Sequence, residues 1–406
     1  MKIAVLGYGV VGSGVVELIF KNAASIEKNA DEKIEIKYIL DIRDFPDHPH
    51  ADLFTKDFEK IVQDPEIGVV VEVIGGLSPA YSFVKRSLKA GKSVVTSNKE
   101  LVATYGADLL QTAREYNTNF MFEASVGGGI PIIRPITQCF AANNIDRIYG
   151  ILNGTTNYIL SKMITDGDDF DTALAKAQKN GYAEANPAAD IDGVDACRKI
   201  AILGSLAFGR HIDPNAIQTE GIRGFELKDV LYAKKAGYTV KLLGVVSRRE
   251  GGRVYALVAP FLLPLNSKLA ACDGVFNEIY VEGDAVGETM FYGRGAGKLP
   301  TASAVVADVI DCVVHKDFRK DIFWEAAEQE TVVDFKKEES TFYVRFSGEC
   351  AAQKVSDAFS VAQIIEDGDE FSAILSKMPE DVFYNKVAAL EKDGCVRLCA
   401  KYRLFC

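Results

Sequence analysis

The sequence predicts an α/β protein in which an N-terminal parallel sheet is followed by a mixed α+β region and a C-terminal βαββαβ module. Three observations predict this architecture. Short apolar strands alternate with helices through the first third of the chain, which is typical of a parallel sheet. Residues 239–246 and 254–260 alternate between apolar and polar side chains, which predicts antiparallel strands with one solvated face. Residues 342–404 then follow the order strand, helix, strand, strand, helix, strand. A chain of 406 residues is long enough for two or three domains.

The first predicted strand, Lys2–Leu6, leads directly into a glycine-rich turn and then into a helical pattern. The turn reads G-x-G-x-x-G, and it lies between a strand and a helix as this motif requires. The first glycine permits the tight turn, the second lets the backbone approach a pyrophosphate, and the third lets the helix pack closely on the strand. The helix N-terminus adds N–H donors and the positive end of a dipole. The sequence therefore predicts a dinucleotide site formed by Gly7, Tyr8, Gly9, Val10, Val11 and Gly12.

Two charged residues that follow the second strand, Ile34–Leu40, bear on the choice of dinucleotide. Asp41 would accept hydrogen bonds from the ribose hydroxyls of NAD, whereas Arg43 would accommodate the 2′-phosphate of NADP. The two signals conflict, so the sequence leaves the choice open. Lys99 follows the strand Ser93–Thr96, at the carboxyl edge of the predicted sheet, where such sheets bind ligands. We therefore expect Lys99 to lie in the active site.

Two further glycine-rich segments interrupt the rest of the chain. Residues 127–129 are three consecutive glycines, and residues 293–297 include Gly295 and Gly297 before a predicted helix at 304–314. Each segment suits a backbone that approaches a ligand, and each also suits a sharp bend. We expect the second segment to hold the cofactor or to close the site.

An acidic segment, residues 181–199, contains a pattern that suits proton transfer. Asp195 and Lys199 are four residues apart and therefore share one face of a predicted helix, just before the apolar run Ile200–Leu203. A lysine in this position can transfer a proton to an oxygen and can also hold a charged substrate. Taken alone, the same spacing is that of an ordinary surface salt bridge.

Composition and charge narrow the class of protein. The net charge of −11 and the lack of a basic patch argue against a nucleic-acid partner. No apolar run reaches the ~20 residues that span a membrane. The eight cysteines are scattered and form no C-x-x-C pair, which favours a reducing compartment and argues against a structural zinc site. We therefore expect a cytoplasmic protein that acts on a small molecule.

Several motifs occur together in an order that resembles the homoserine dehydrogenase family. They are GYGVVGSG near the N-terminus, SNKELVA at 97–103, EASVGGGIPII at 123–133, GILNGTTNYIL at 150–160, GYAEANPAADIDGVDACRKIAIL at 181–203 and GRGAGKLPTASAVVADV at 293–309. The resemblance implies the NAD(P)H-dependent interconversion of L-aspartate 4-semialdehyde and L-homoserine, in threonine and methionine biosynthesis. It also implies a homodimer or homotetramer formed through the middle domain.

The resemblance further implies roles for residues around the substrate. Lys199 matches the lysine that donates a proton to the aldehyde oxygen, and Asp195 matches its carboxylate partner. The alternative, in which Lys199 only stabilises the developing negative charge, stays open. Glu184 matches the residue that holds the substrate amino group, and the same pocket includes Gly181 and Asp190.

Two other sites are implied by the same resemblance. Lys99 matches a second active-site lysine near the nicotinamide and the substrate. A site for a monovalent cation such as Na⁺ is implied at Glu123 together with the backbone carbonyls of Val126, Gly128 and Ile130.

The C-terminal βαββαβ order resembles an ACT domain, a module that binds amino acids. The loop Gly348–Ala352 lacks the combination of aspartate, proline and glycine that is typical of a ligand-binding ACT loop. An amino-acid effector site and a dimerisation module therefore both stay open. We expect an NAD(P)-binding domain at 1–130, completed by about residues 293–318, a substrate-binding and dimerisation domain at 131–320, and an ACT-like regulatory domain at 340–406 after a linker at 336–340.

Two other functions fit part of the sequence. One is an NAD(P)-dependent oxidoreductase that acts on another amino-acid-like aldehyde or ketone, which substrate assays would distinguish. The other is a nucleotide-sensing protein without catalytic activity, against which the presence of Lys199, Asp195 and Glu184 argues.

Overall fold

The structure is a computed structural model that describes residues 1–326, 331–368, 370–392 and 394–405. Within these residues the helices are α1 (Val10–Lys21), α2 (Ala23–Ala30), α3 (Phe58–Val62), α4 (Ala80–Lys89), α5 (Lys99–Glu115), α6 (Gly154–Asp166), α7 (Phe170–Lys179), α8 (Ala188–Ile191), α9 (Val194–Phe208), α10 (Leu227–Lys235), α11 (Lys298–Val314), α12 (Ala351–Ala358) and α13 (Glu380–Glu391). None of these helices is both long enough and apolar enough to cross a lipid bilayer.

The strands in the same part of the chain are β1 (Lys2–Leu6), β2 (Glu35–Leu40), β3 (Phe54–Thr55), β4 (Ile67–Glu72), β5 (Ser93–Thr96), β6 (Phe120–Met121), β7 (Ile145–Ile151), β8 (Gln218–Thr219), β9 (Tyr238–Arg248), β10 (Val254–Pro264), β11 (Phe276–Gly283), β12 (Gly287–Arg294), β13 (Glu339–Ser340), β14 (Phe342–Gly348), β15 (Val361–Asp367), β16 (Glu370–Leu375), β17 (Met378–Pro379) and β18 (Val396–Leu404). The chain forms two compact units. The first comprises Met1–Ile148, Ala201–Pro214 and Tyr280–Thr331, and the second comprises Tyr149–Ile200, Asn215–Ile279 and Val332–Cys406.

The first unit contains a six-stranded sheet with the order β3-β2-β1-β4-β5-β6. Every neighbouring pair of strands in it is parallel. Ile3–Leu6 of β1 are fully buried, which explains why this strand reads as a continuous apolar run rather than an alternating one. The strand order is that of dinucleotide-binding folds, so the predicted N-terminal parallel sheet is confirmed.

The last strand of this sheet is shorter than the sequence suggests. Residues 120–124 read as a strand, but β6 ends at Met121 and a 3-10 turn follows at Glu123–Ser125. The backbone N–H of Glu123 donates to the carboxylate of Asp308 at 2.8 Å instead of to a neighbouring strand. This side-chain contact therefore accounts for the early end of the strand.

The second unit contains the antiparallel pair β9 and β10, as predicted, but the expectation of one solvated face is wrong. Nearly all residues of both strands are buried. Lys241 on β9 shows how a polar position is accommodated, because its ammonium donates to the carbonyl of Cys272 at 2.6 Å and to Asp273 at 2.9 Å. Internal partners thus replace solvent for the polar residues of the alternating pattern.

The C-terminal module (residues 342–404) has the predicted βαββαβ order, and its sheet order is β18-β14-β16-β15 with all neighbours antiparallel. This is the ferredoxin-like arrangement. Its last strand also pairs in parallel with β10, through Phe261 with Arg403 and Leu262 with Leu404. The predicted linker at 336–340 is instead ordered, as a 3-10 turn at Phe335–Lys337 and the strand β13, which pairs with β17.

Candidate active site

The glycine-rich turn between β1 and α1 has the geometry that the motif requires. Gly7 has φ +99°, a conformation that favours glycine, and a Cβ atom on Gly12 would stand 1.9 Å from the carbonyl oxygen of Gly7. Gly9 is the N-cap of α1, and a Cβ atom built on it meets no atom of the described residues within 4 Å. The helix N-terminus therefore opens onto free space where backbone N–H groups can bind a pyrophosphate.

Asp41 and Arg43 form one hydrogen-bonded unit with the glycine-rich turn. One carboxylate oxygen of Asp41 accepts from the backbone N–H and Nε of Arg43 at 3.0 and 2.9 Å, and the other accepts from the Tyr8 N–H and from Nη2 of Arg43 at 2.8 and 3.0 Å. The side-chain hydrogen bonds from Arg43 hold the pKa of Asp41 well below its usual range, despite partial burial. Ribose hydroxyls would therefore compete with Arg43 for both oxygens of this carboxylate.

A cavity of about 420 Å³ adjoins this unit. It is lined by Asp41, Arg43, Asp44, Phe45, Pro46, Ala51, Phe54, Thr55 and Lys56. Its two cations, Arg43 and Lys56, are paired with Asp41 and Asp44 at 2.9 and 2.8 Å, so a phosphate group bound here would compete with these carboxylates for them.

The other two glycine-rich segments are in contact with each other in the first unit. Gly128 has φ +53°, and a Cβ atom on it would lie 2.6 Å from the carbonyl oxygen of Gly295. The N–H of Gly129 donates to the carbonyl of Arg294 at 3.1 Å. Gly297, with φ +128°, is the N-cap of α11. The structure thus joins the segments at 127–129 and 293–297, which the sequence predicted separately.

Lys99 is the first residue of α5 and lies at the carboxyl edge of the parallel sheet, as predicted. Asn98 caps this helix, because its Oδ1 accepts from the Leu101 N–H at 3.1 Å. The hydroxyl of Thr96 donates to Glu72 at 2.6 Å, and it also accepts from the Asn98 N–H at 2.9 Å. Glu72 is fully buried, and this burial raises its pKa. Sequence reasoning missed Glu72, although an acidic residue that ends an apolar strand is a detectable signal.

Glu123 is buried and acts as an acceptor for the backbone. Its carboxylate accepts from the N–H groups of Ile132, Ile133 and Arg134 at 2.6, 2.8 and 2.9 Å. Arg134 also pairs with Asp308, and burial raises the pKa of Asp308 to about 7. These contacts explain why a carboxylate is needed at this position, and sequence reasoning missed both partners.

The cation site predicted at Glu123 with Val126, Gly128 and Ile130 stays a prediction. Within the residues that the structure describes, no three His, Cys, Asp or Glu side chains are grouped to hold a metal ion. The predicted cation would be held mainly by backbone carbonyls, which do not require such a group of side chains.

In the second unit, Asp195 and Lys199 form a buried ion pair. The Lys199 ammonium donates to Oδ2 of Asp195 at 2.7 Å and to the carbonyl of Leu152 at 2.7 Å. The side chain of Lys199 is only 9% exposed, and that of Asp195 only 6%. The alternative of an ordinary surface salt bridge is therefore wrong.

Asn153 connects this pair to a second carboxylate. Its Nδ2 donates to Asp190 at 2.7 Å and to Asp195 at 2.9 Å, while its Oδ1 accepts from the Thr156 N–H at 2.8 Å and so caps α6. Burial raises the pKa of Asp190, and the charge of Asp195 adds to this effect. The segment Asn153–Tyr158 at a strand end indicates from sequence either a helix cap or the lining of a pocket, and Asn153 caps the helix while it also contacts both carboxylates.

The remaining predicted residues, Gly181 and Glu184, lie in the loop after α7. Gly181 has φ +73°, and the hydroxyl of Thr155 holds this loop by donating to the carbonyl of Tyr182 at 2.6 Å. Glu184 is exposed, and its carboxylate makes no hydrogen bond or ion pair to the rest of the described chain. The structure thus brings Asp190, Asp195 and Lys199 together but shows no direct contact from Glu184 to them.

Comparisons with known proteins identify the family to which this chain is similar. The family model "Homoserine dehydrogenase, NAD binding domain" matches residues 7–123, and the model "Homoserine dehydrogenase" matches residues 131–310. A homoserine dehydrogenase of Synechocystis sp. (strain ATCC 27184 / PCC 6803 / Kazusa) is 45% identical over 321 residues, which cover 77% of this chain and 73% of that protein.

Solved structures give the same result. A homoserine dehydrogenase from Thiobacillus denitrificans matches with a TM-score of 0.91 and 35% identity, over 100% of this chain and 98% of that one. A hyperthermophilic archaeal homoserine dehydrogenase mutant in complex with NADPH matches with a TM-score of 0.65 and 27% identity, over 77% of this chain and 97% of that one. The resemblance seen in the sequence is confirmed, and this chain belongs to the homoserine dehydrogenase family of NAD(P)-dependent oxidoreductases.

Proposed function

We propose that this chain catalyses the NAD(P)H-dependent interconversion of L-aspartate 4-semialdehyde and L-homoserine, with Lys199 as the proton donor. The observation that carries the proposal is the buried ion pair in which Nζ of Lys199 lies 2.7 Å from Oδ2 of Asp195. A lysine held in a protein interior beside a carboxylate is well placed to act on a substrate oxygen.

The reduction develops negative charge on the aldehyde oxygen. The Lys199 ammonium stabilises this charge and then transfers a proton from Nζ to the oxygen, which completes the hydroxyl group of homoserine and leaves a neutral amine. In the oxidative direction the neutral amine takes the hydroxyl proton back. Asp195 orients the amine throughout, and the carbonyl of Leu152 holds it from a second side.

The substrate is an amino acid, so its ammonium group requires a carboxylate. Asp190 supplies one carboxylate beside the Lys199 pair, and Asn153 fixes its position. Glu184 and Gly181 complete the proposed pocket, since the exposed carboxylate of Glu184 is available for an incoming cation.

The dinucleotide site is proposed in the first unit. The turn Gly7–Gly12 would bind the pyrophosphate, and the segment with Gly295 and Gly297 presents a second glycine-rich helix start. When bound, the dinucleotide supplies the hydride for the reduction. Arg43 and Lys56, which both line the 420 Å³ cavity, support acceptance of the 2′-phosphate of NADP, while Lys99 is retained as the second active-site lysine.

Several finer predictions are carried forward as parts of the same proposal. They are the role in threonine and methionine biosynthesis, the cytoplasmic location, the homodimer or homotetramer, the monovalent cation and the three-domain division. The ferredoxin-like C-terminal module supports an ACT-like assignment, with an amino-acid effector as one of its two possible uses.

A substrate panel tests the proposal. The purified chain would be assayed by the absorbance of the reduced nicotinamide with L-homoserine, L-serine and L-threonine, each with NAD and with NADP. We expect L-homoserine to have by far the highest kcat/KM. A higher kcat/KM with another hydroxy amino acid would overturn the substrate assignment but not the reaction class.

A further inference from the structure

A short segment of the second unit, Gln218–Ile222, supports the turn formed by residues 190–195. Gly221 approaches this turn so closely that a Cβ atom on it would stand 2.1 Å from the carbonyl oxygen of Ile191. The Ile222 N–H donates to that same oxygen at 2.8 Å. The turn bears Asp190 and Asp195, two of the three carboxylates of the proposed substrate site, so their position depends on where the segment is held.

The segment is held from two directions. Its backbone joins the sheet, because the N–H of Glu220 donates to the carbonyl of Val258 at 2.7 Å. Its side chain joins the C-terminal module, because the Glu220 carboxylate accepts two bonds from Arg403 at 3.0 Å each and two from Lys401 at 3.0 and 2.9 Å. Both cations belong to β18.

The contact with β18 is part of a buried and balanced charge cluster. Arg403 also binds Glu380 through two hydrogen bonds of 2.6 Å, and both of these side chains are at most 1% exposed. Two acids thus face two bases. Burial opposes the ionisation of Glu220, but Arg403 and Lys401 outweigh it and lower the pKa of Glu220. Removing one charge would leave another buried without compensation, so the cluster fixes its members firmly.

We propose that Glu220 is a positioning residue for homoserine binding: anchored by Arg403 and Lys401, it holds the segment Gln218–Ile222 against the turn that bears Asp190 and Asp195. The C-terminal module thereby helps to shape the substrate pocket. The inference rests on the proposed roles of Asp190 and Asp195.

The test compares Glu220→Gln with Glu370→Gln. The two glutamates are matched, since their side chains are 22% and 21% exposed and both bind arginines of the C-terminal module. Glu370 pairs with Arg345 at 2.9 Å and with Lys228 at 2.7 Å, neither of which belongs to the segment 218–222. We expect Glu220→Gln to raise the KM for homoserine roughly ten- to a hundred-fold, with an unchanged Kd for NADPH. Glu370→Gln should leave both constants unchanged.

Further measurements separate positioning from a loss of stability. Thermal unfolding of Glu220→Gln and Glu370→Gln shows whether the two variants lose stability equally. Glu220→Asp keeps the charge but shortens the side chain, so we expect its KM to lie between those of the unaltered chain and Glu220→Gln. It replaces Glu220→Gln if that variant does not fold. An unchanged KM in the Glu220 variants, or an equal rise in Glu370→Gln, would overturn the proposal. Asp190→Asn distinguishes a failure of the proposed pocket from a failure of the positioning role. If Asp190→Asn leaves the KM for homoserine unchanged, the assignment of Asp190 to the pocket is wrong. If the KM rises in Asp190→Asn but not in the Glu220 variants, only the positioning role of Glu220 is wrong.

Discussion

Replacing Lys199 by methionine separates the stability of the buried ion pair from its part in the reaction. Methionine keeps an unbranched side chain but removes the ammonium that binds Asp195 and the Leu152 carbonyl at 2.7 Å each. Because the side chain of Asp195 is only 6% exposed, water cannot replace the lost charge, and we expect the free energy of unfolding to fall by about 3–5 kcal/mol. Loss of the proton donor should lower kcat by about 10²- to 10⁴-fold.

The double variant Lys199→Met/Asp195→Asn is the control for stability. It removes both charges, so no uncompensated charge stays buried, and we expect it to regain most of the lost free energy of unfolding. It should regain none of the turnover, because the proton donor is still absent. Urea unfolding measures the first quantity, and steady-state rates in both reaction directions measure the second. The Kd for NADPH serves as a check that the nucleotide site is intact.

Two results would refute this reasoning. A double variant that recovers turnover together with stability would show that Lys199 acts only by holding the fold. A single variant with kcat within about ten-fold of the unaltered chain would rule out proton transfer from this amine.

Three other predictions concern the nucleotide and substrate sites. Gly9→Val should fold normally, because a Cβ atom there contacts none of the described residues, but it should lose NADPH binding, because the new side chain fills the space proposed for the pyrophosphate. Gly12→Ala should instead unfold at a lower temperature, because its Cβ atom would lie 1.9 Å from the carbonyl oxygen of Gly7. Titration with NADPH and a thermal melt of each variant distinguish these outcomes. Arg43→Ala should raise the KM for NADP about ten-fold or more, and it should lower the KM for NAD, because Arg43 no longer competes with the ribose hydroxyls for the carboxylate of Asp41; both values are measured on the same variant. The KM for homoserine should rise as the pH is lowered, because an ammonium group binds only the ionised form of Asp190. Burial and the charge of Asp195 raise the pKa of Asp190, so this rise should begin at a higher pH than it would for an ordinary carboxyl group with a pKa of about 4. Asp190→Asn should flatten this pH dependence, and a pH profile unchanged in that variant would contradict the assignment.

Local patterns predicted much of the fold and part of the site. The strand, glycine turn and helix of residues 2–21 are specified within one short stretch, so their geometry follows from glycine's freedom and helix packing. The contact between Asp195 and Lys199 follows from helical periodicity alone. The order of the C-terminal module was also readable, because each of its strands and helices has its own apolar pattern.

Contacts between distant parts of the chain could not be predicted in this way. Asn153 meets Asp190 and Asp195 across 37 and 42 residues, and Glu220 meets Arg403 across 183 residues. No local pattern encodes such pairings, because they depend on how separate elements pack. The strands β9 and β10 show the same limit: their alternation indicated a solvated face, whereas internal partners for residues such as Lys241 allow burial on both faces.

The second carboxylate distinguishes the Lys199 cluster from a structural ion pair. A structural pair would be complete with Asp195 and Lys199, whereas Asp190 adds a second carboxyl group whose pKa is raised by burial and then by repulsion from the charge of Asp195. Asn153 makes this arrangement possible, because its single amide nitrogen donates to both carboxylates at 2.7 and 2.9 Å. A cation that bound beside Asp190 would relieve its repulsion with Asp195. The free energy of that repulsion in the ligand-free protein would therefore add to the affinity for the cation. The ammonium group of an amino-acid substrate is such a cation, which is why the proposed pocket places it beside Asp190.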